Sequence, residues 1–281
     1  MPSPGLSLFG FLTEQEASQY LPNKYVLESQ ADLAQLWREA RQRLGEPMPR
    51  AGASEILDIP PEHDQYLQGI QSAPWFSSIV RQSPWAFKFV EIGPLLSFQI
   101  NLSLDRSNAL CSRLNDNPTV EDLLSIAMPD KLEDLPTQVS VQSNSIVITS
   151  LSRNLRLQDA VKVSIPGSEG RDLFGIQVGP AAPITQIARV DGRCYLRNGF
   201  HRAVGMAQRG VTHIPALLID MENYEEVTRG GLMVFDKAVL ESENPPTVDH
   251  FTHKRAFPVT LRDSTMVITL NWSQHVIYDA T

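Results

Sequence analysis

The sequence predicts an α+β protein, with a mainly helical region over residues 1–85 followed by a mixed sheet over 86–281. Three observations carry this. Helix patterns with matching caps dominate the first 80 or so residues, strand-like runs begin at Phe87, and residues 184–219 read as strand, turn, strand, helix and strand. The chain has 281 residues, 42% hydrophobic and 20% charged, which is enough for a sizeable core and ordinary for a globular protein.

Taken in order, Thr13 and Glu16 form a capping-box pattern that opens a short helix ending before Pro22. Ser29 is read as the start of a longer helix, with Leu33, Leu36, Trp37, Ala40 and Leu44 on one face and Gly45 at its end. Residues 46–54 form a loop, a helix is expected over 64–71, and Pro74 opens another. Trp75, Phe76 and Trp85 form an aromatic cluster that reads as core.

Strand-like runs follow at 87–92 and 95–104, separated by Pro94. Thr119 opens a helix with Val120, Leu123, Leu124 and Ala127 inward, halted before Pro129. Residues 138–142 and 146–150 suggest a hairpin around Ser143 and Asn144, and residues 151–182 carry no clear periodicity. Near the C-terminus, 257–261 and 265–272 are expected to form a second hairpin through Arg262, Asp263 and Ser264.

The chain is organised around residues 191–219. Asp191 and Gly192 make a two-residue hairpin signal that would pair Val190 with Arg193, Ala188 with Tyr195 and Gln186 with Arg197. Asn198 and Gly199 end the second strand, a helix follows over 200–209 with Gly210 as its cap, and 214–219 reads as a buried strand. Cys194 falls on the apolar face of the hairpin, where a thiol is inert packing.

The chemistry of this stretch lies at Gly199, Phe200, His201 and Arg202. A glycine before a helix lets the backbone approach a ligand, and the first-turn amides with the helix dipole form an anion site. His201 and Arg202 add donors in that turn, where cations otherwise oppose the dipole. The structural alternative is that Arg202 pairs with a carboxylate and His201 is a satisfied structural histidine. The full candidate phosphate-binding set is Arg197, Asn198, Gly199, Phe200, His201 and Arg202, joined by Arg171 from upstream.

The pattern Asp-Gly-x-x-Tyr-x-x-x-Gly-x-His-Arg over 191–202, a small-residue helix, then Gly-Val-x-x-Ile-Pro and an apolar strand resembles the ParB/sulfiredoxin-like domain. The resemblance covers about residues 183–220, within a core at about 151–225. It implies a Gly-x-x-Arg turn that holds nucleotide phosphates, with ATP or CTP and Mg²⁺ as the expected ligands. It also makes Arg153, Arg156 and Arg171 candidates to face the same site. Phe200 stands where sulfiredoxins carry their reactive cysteine, and where ParB proteins carry a glutamate, so binding transfers better than catalysis. A catalytic reading needs a carboxylate base, for which Asp191, Asp172 and Glu169 are the candidates.

Composition narrows the remaining classes. A net charge of −8 argues against a nucleic acid partner, whose affinity rests on neutralised phosphates. Two cysteines cannot make a disulfide framework, no apolar run is long enough to span a membrane, and the first residues lack a signal-peptide pattern, so a cytoplasmic protein is expected. Asp249, His250 and His253 have a spacing that could bring them to one helix face as metal ligands, but a packing loop is the simpler reading, so no metal site is assigned. Three functional classes follow. The first is a protein binding a nucleotide or phosphorylated small molecule, as a phosphotransferase or nucleotidase if it is an enzyme. The second is a non-catalytic interaction protein whose N-terminal helical region meets a protein partner. The third is a ParB-like nucleic-acid-associated protein, disfavoured by acidity and the absence of a following helix-turn-helix.

Overall fold

The computed structural model describes residues 2–28, 31–80, 82–132, 134–152, 154–164, 172–228 and 235–273. The chain opens with β1 (Ser3–Ser7), α1 (Glu14–Lys24), α2 (Leu33–Leu44), β2 (Ile56–Asp58), α3 (Asp64–Gln71) and α4 (Phe76–Val80). It continues through β3 (Trp85–Glu91), β4 (Leu96–Ser97), β5 (Asn101–Ser103), α5 (Leu104–Leu110) and α6 (Val120–Ala127). Next come β6 (Thr137–Val141), β7 (Ser145–Ser150), β8 (Leu155–Ser164), β9 (Asp172–Pro180), β10 (Gln186–Val190) and β11 (Arg193–Asn198). The last elements are α7 (Phe200–Ala207), β12 (His213–Asp220), α8 (Tyr224–Thr228), α9 (Lys237–Leu240), α10 (Asp249–Thr252), β13 (Phe257–Leu261) and β14 (Met266–Asn271). This is an α+β fold.

The chain falls into two units, residues 1–130 with 183–263, and residues 131–182 with 264–281. The boundary expected near residue 85 lies inside the first unit, because β1 pairs with β5 and β13 while β2 pairs with β3. The N-terminal helices are therefore part of the same body as the central sheet. That sheet runs β2-β3-β12-β10-β11-β4, with β12 parallel to β10 and antiparallel to β3. Ile214, Ala216, Leu217 and Ile219 on β12 are fully buried, as its continuous apolar run requires. α6 packs on β12, and α7 packs against α5.

Several local expectations are met for their physical reasons. Thr13 and Thr119 cap α1 and α6 through reciprocal capping boxes with Glu16 and Asp122. Phe76 lies edge-on to Trp85 at 4.9 Å between ring centroids, which makes that cluster core packing. Others are corrected. α1 runs on through Pro22 to Lys24, since the carbonyl that Pro22 leaves without an amide belongs to the exposed Ser18. α2 starts at Leu33, four residues beyond the expected Ser29, which itself lies outside the described residues. Asp32 is the cap, its carboxylate accepting from the Ala34 and Gln35 amides. Leu104, expected to close a strand, instead begins α5, with the Ser103 hydroxyl capping at Arg106 N.

The second unit holds two sheets, β14-β7-β6 and the long ribbon β8-β9. The β6–β7 hairpin is the one expected, pairing Val141 with Ile146 and Thr137 with Ser150. The expected C-terminal hairpin does not form. β13 pairs with β1 in the first unit, where Phe257 packs edge-on to Phe9 at 5.2 Å, and β14 pairs with β7 in the second. Adjacency in sequence gave β13 no advantage over β1, beside which Leu261 is buried.

Candidate functional site

The organising hairpin turns at Asp191 and Gly192 with φ of 49° and 77°, the left-handed pair that a type I′ turn requires. Val190 pairs with Arg193 and Ala188 with Tyr195, as the sequence implied. A bulge between Gln186 and Ile187 then places Gln186 opposite Asn198 instead of the expected Arg197. That shift gives Asn198 a structural task. Its side-chain amide donates to the Ile184 carbonyl at 3.1 Å, and its carbonyl oxygen accepts from the Gly199 amide at 2.9 Å.

Gly199 sits at φ 97° and ψ 17° and leads directly into α7, which has no side-chain cap. A Cβ at Gly199 would lie 2.7 Å from the Thr185 hydroxyl, so both the backbone angle and the space demand glycine. Thr185 is itself fixed from two sides, its amide donating to Ala127 O at 2.7 Å and its carbonyl accepting from Leu217 N at 3.0 Å. Its hydroxyl is fully buried and makes no hydrogen bond among the described residues. α7 ends two residues before the expected 209. Gly210, at φ 81°, follows in a Schellman arrangement, with Gly210 N bonded to Ala207 O and Val211 N to Met206 O.

The first turn of α7 is clamped by α5 and the residue before it. The Ser103 amide donates to His201 Nε2 at 3.2 Å, which puts the imidazole proton on Nδ1 and keeps the ring neutral. The Ser107 hydroxyl donates to the His201 carbonyl at 2.7 Å, and the Cys111 thiol to the Arg202 carbonyl at 3.8 Å. Burial pushes the Cys111 thiol up, partly offset by the Arg209 and Arg202 guanidiniums nearby. His201 thus follows the structural reading on one ring nitrogen, while Arg202 brings a positive charge to the flank of the same turn. Cys194 is buried and pushed up to about 11 by desolvation, as inert packing should be.

The other candidates are dispersed. Arg197 donates from Nε to the Val227 carbonyl at 3.1 Å, tying β11 to α8. Arg171, Arg153 and Glu169 lie outside the described residues. Arg156 belongs to the second unit, where Nη1 donates to Leu155 O at 2.8 Å, and Asp172 begins β9 there. Asp191 stands at the opposite end of β11 from Gly199, roughly 20 Å along a strand of that length. It is therefore not a base for chemistry at the turn. Thr185, Ser103 and Ser107 were not legible as site residues, since only the bulge and the α5 packing bring them to the turn.

His253 Nδ1 lies 3.5 Å from Asp249 Oδ1, but His250 does not join them. His250 is fully buried, with Nδ1 accepting from Thr247 N at 3.1 Å and its ring edge-on to Phe11 at 5.0 Å, whereas the His253 side chain is 62% exposed. Burial, then Arg255, depress His250 to about 4. No group of three metal-ligating side chains occurs among the described residues. A shallow depression of about 630 Å³ lies elsewhere, lined by Asp58, Asp64, Gln68 and Phe87 among others. Phe87 is three strand spacings from Asn198 across the central sheet, about 14 Å.

Among the described residues, no helix is long and apolar enough to cross a membrane. No protein-family model, curated protein or solved structure matches the chain.

Proposed function

We propose that this protein binds a nucleotide or another phosphorylated small molecule at the turn formed by Asn198, Gly199, Phe200, His201 and Arg202, on a ParB/sulfiredoxin-like core. The observation that carries the reading is Gly199, held at φ 97° at the head of a helix without a side-chain cap. Helix amides in that position are anion receptors, and the dipole adds to the field. Two neighbours support it: the Arg202 charge, and the buried Thr185 hydroxyl that makes no hydrogen bond among the described residues. His201 contributes as a neutral Nδ1–H donor, because Nε2 is occupied by the Ser103 amide. The reading is of binding, and of the candidate bases Asp191 is a strand length away. ATP or CTP with Mg²⁺ are the first ligands to try.

Thermal shift of the wild type and of Arg202→Ala tests this against ATP, ADP, CTP, GTP and inorganic phosphate, with and without Mg²⁺. A ligand that binds only the folded state raises the melting temperature once it exceeds its dissociation constant. The expected result is a rise with one nucleotide class that is lost in Arg202→Ala. No rise with any of them, in a folded sample, overturns the proposal.

A further inference from the structure

The second unit carries an unusual surface. All the large apolar side chains exposed among the described residues, apart from Val26 and Leu57, belong to it, including Val139 at 61%, Val141 at 71% and Val267 at 52%. Among the described residues of this unit, Leu155 is the one large apolar side chain that is buried. Ile146, Ile148, Ile268 and Leu270 are half-buried, and a sheet only partly covered gains less from burial, which is the dominant favourable term in folding and association.

The pairing register shows how the surface is arranged. Val139, Ile148 and Ile268 stand side by side across β6, β7 and β14, as do Val141, Ile146 and Leu270. Directly opposed residues share a face, so these side chains form one apolar face that runs to the outer edge of β6. Every residue of β6 is exposed, and β6 is paired on one side only among the described residues. Neither β6, β7 nor β14 contains a charged residue, in a chain whose net charge is −8.

Proteins guard sheet edges with charge, proline, bulges or shortness. Two edges of the first unit follow that rule. β2 is three residues long and carries Asp58, paired with Lys88, and β13 carries Pro258 opposite Leu6. β6 has none of these features: Thr-Gln-Val-Ser-Val pairs with β7 without a bulge, and it is exposed at every residue, whereas the opposite edge, β14, is half-buried at alternate residues.

We infer that β6 is the edge through which two copies of this chain join, antiparallel and about a two-fold axis, into one continuous sheet. The occupant follows from charge and symmetry. Two chains of like net charge repel wherever charged surfaces meet, and this sheet lets them meet without a charge on either side. An antiparallel strand pair is self-complementary, so a single uncharged edge satisfies both partners of an isologous contact. A second copy also extends the apolar face with an identical one, where a charged partner would find no counter-ion. This inference is independent of the phosphate site.

Sedimentation velocity of the full chain across the micromolar range tests it, with Val139→Lys, Val141→Lys and, as a control on another exposed edge, Leu57→Lys. The wild type and Leu57→Lys are expected to shift from monomer to dimer with concentration, while the β6 variants stay monomeric with unchanged circular dichroism. Hydrogen exchange on the wild type gives a reading that needs no variant, as the amides of residues 137–141 should gain protection with concentration. A monomeric wild type, a dimer that survives both β6 substitutions, open-ended assemblies, or β6 exchange that ignores concentration would each overturn the inference. So would capture by a different protein in place of self-association.

Discussion

Gly199 and Thr185 are in contact in a way that can be measured. An alanine at 199 meets two costs, a left-handed backbone at φ 97° and a Cβ 2.7 Å from the Thr185 hydroxyl. The first is about 1–2 kcal/mol and the second, as overpacking in a closed site, is of similar size. Gly199→Ala should therefore lower stability by roughly 2–4 kcal/mol in urea titrations. Adding Thr185→Ala should recover the steric part and leave the backbone part, giving a coupling energy of the kind found between touching residues. Fully additive losses would mean that the two residues do not press on one another. His250 supplies a second prediction at this scale. Its folded-state value is about 4 against an ordinary 6.5, so the unfolded chain binds the proton more readily between those limits. The stability it contributes is complete above pH 6.5 and falls as the pH drops toward 4. The span corresponds to about 3 kcal/mol at most. Chemical denaturation across that range should show stability rising with pH, and His250→Gln should flatten the slope. An unchanged slope in the variant would place the dependence elsewhere.

α7 shows where helix propensity and packing oppose each other. Gly205 lies mid-helix, where alanine is favoured by about 1 kcal/mol. A Cβ there would stand 2.7 Å from Cys111 Sγ, 2.8 Å from Ser107 Oγ and 3.0 Å from the Ser107 carbonyl of α5. Such overpacking typically costs about 1–3 kcal/mol, so Gly205→Ala should be net destabilising in denaturant melts, and Cys111→Ala should return part of the loss. A stabilised Gly205→Ala would show that α5 yields more easily than its backbone suggests. The same helix shows what the sequence could and could not reveal. Its start, its glycine cap and the type I′ turn before it were legible because each depends on residues within a few positions. The Gln186 bulge, the clamp of Ser103 and Ser107 on His201, and the pairing of β13 with β1 depend on residues far apart in the chain, where a local pattern carries no information. The candidate site divides in the same way. Its residues 198–202 stand at one turn because they are adjacent in the chain, whereas no local pattern points to Thr185. Arg197 turns to the Val227 carbonyl and Asp191 lies a strand length from Gly199, placements set by the shifted register and by the length of β11.

At the scale of the whole molecule, the buried apolar side chains that form the continuous core all belong to the first unit. β12, with Ile214, Leu217 and Ile219 at 0% exposure, lies inside that core, while β6 is exposed along its length. Local opening free energies follow buried apolar contact, so the two units should differ in protection from exchange. In dilute solution, where self-association through β6 is suppressed, amides of β10 and β12 should exchange only through near-global unfolding. Amides of β6, β7 and β14 should exchange through opening events of much lower free energy, and heat should remove them first. Hydrogen exchange resolved by peptide would show two classes of protection, and calorimetry a transition broader than one cooperative step allows. Uniform protection across β6 and β12 would instead mean that the second unit draws its stability from apolar contacts comparable with those around β12. The weight placed on its partly covered face would then be misplaced. Two classes whose gap narrows as concentration rises would tie the stability of that unit to the partner it recruits.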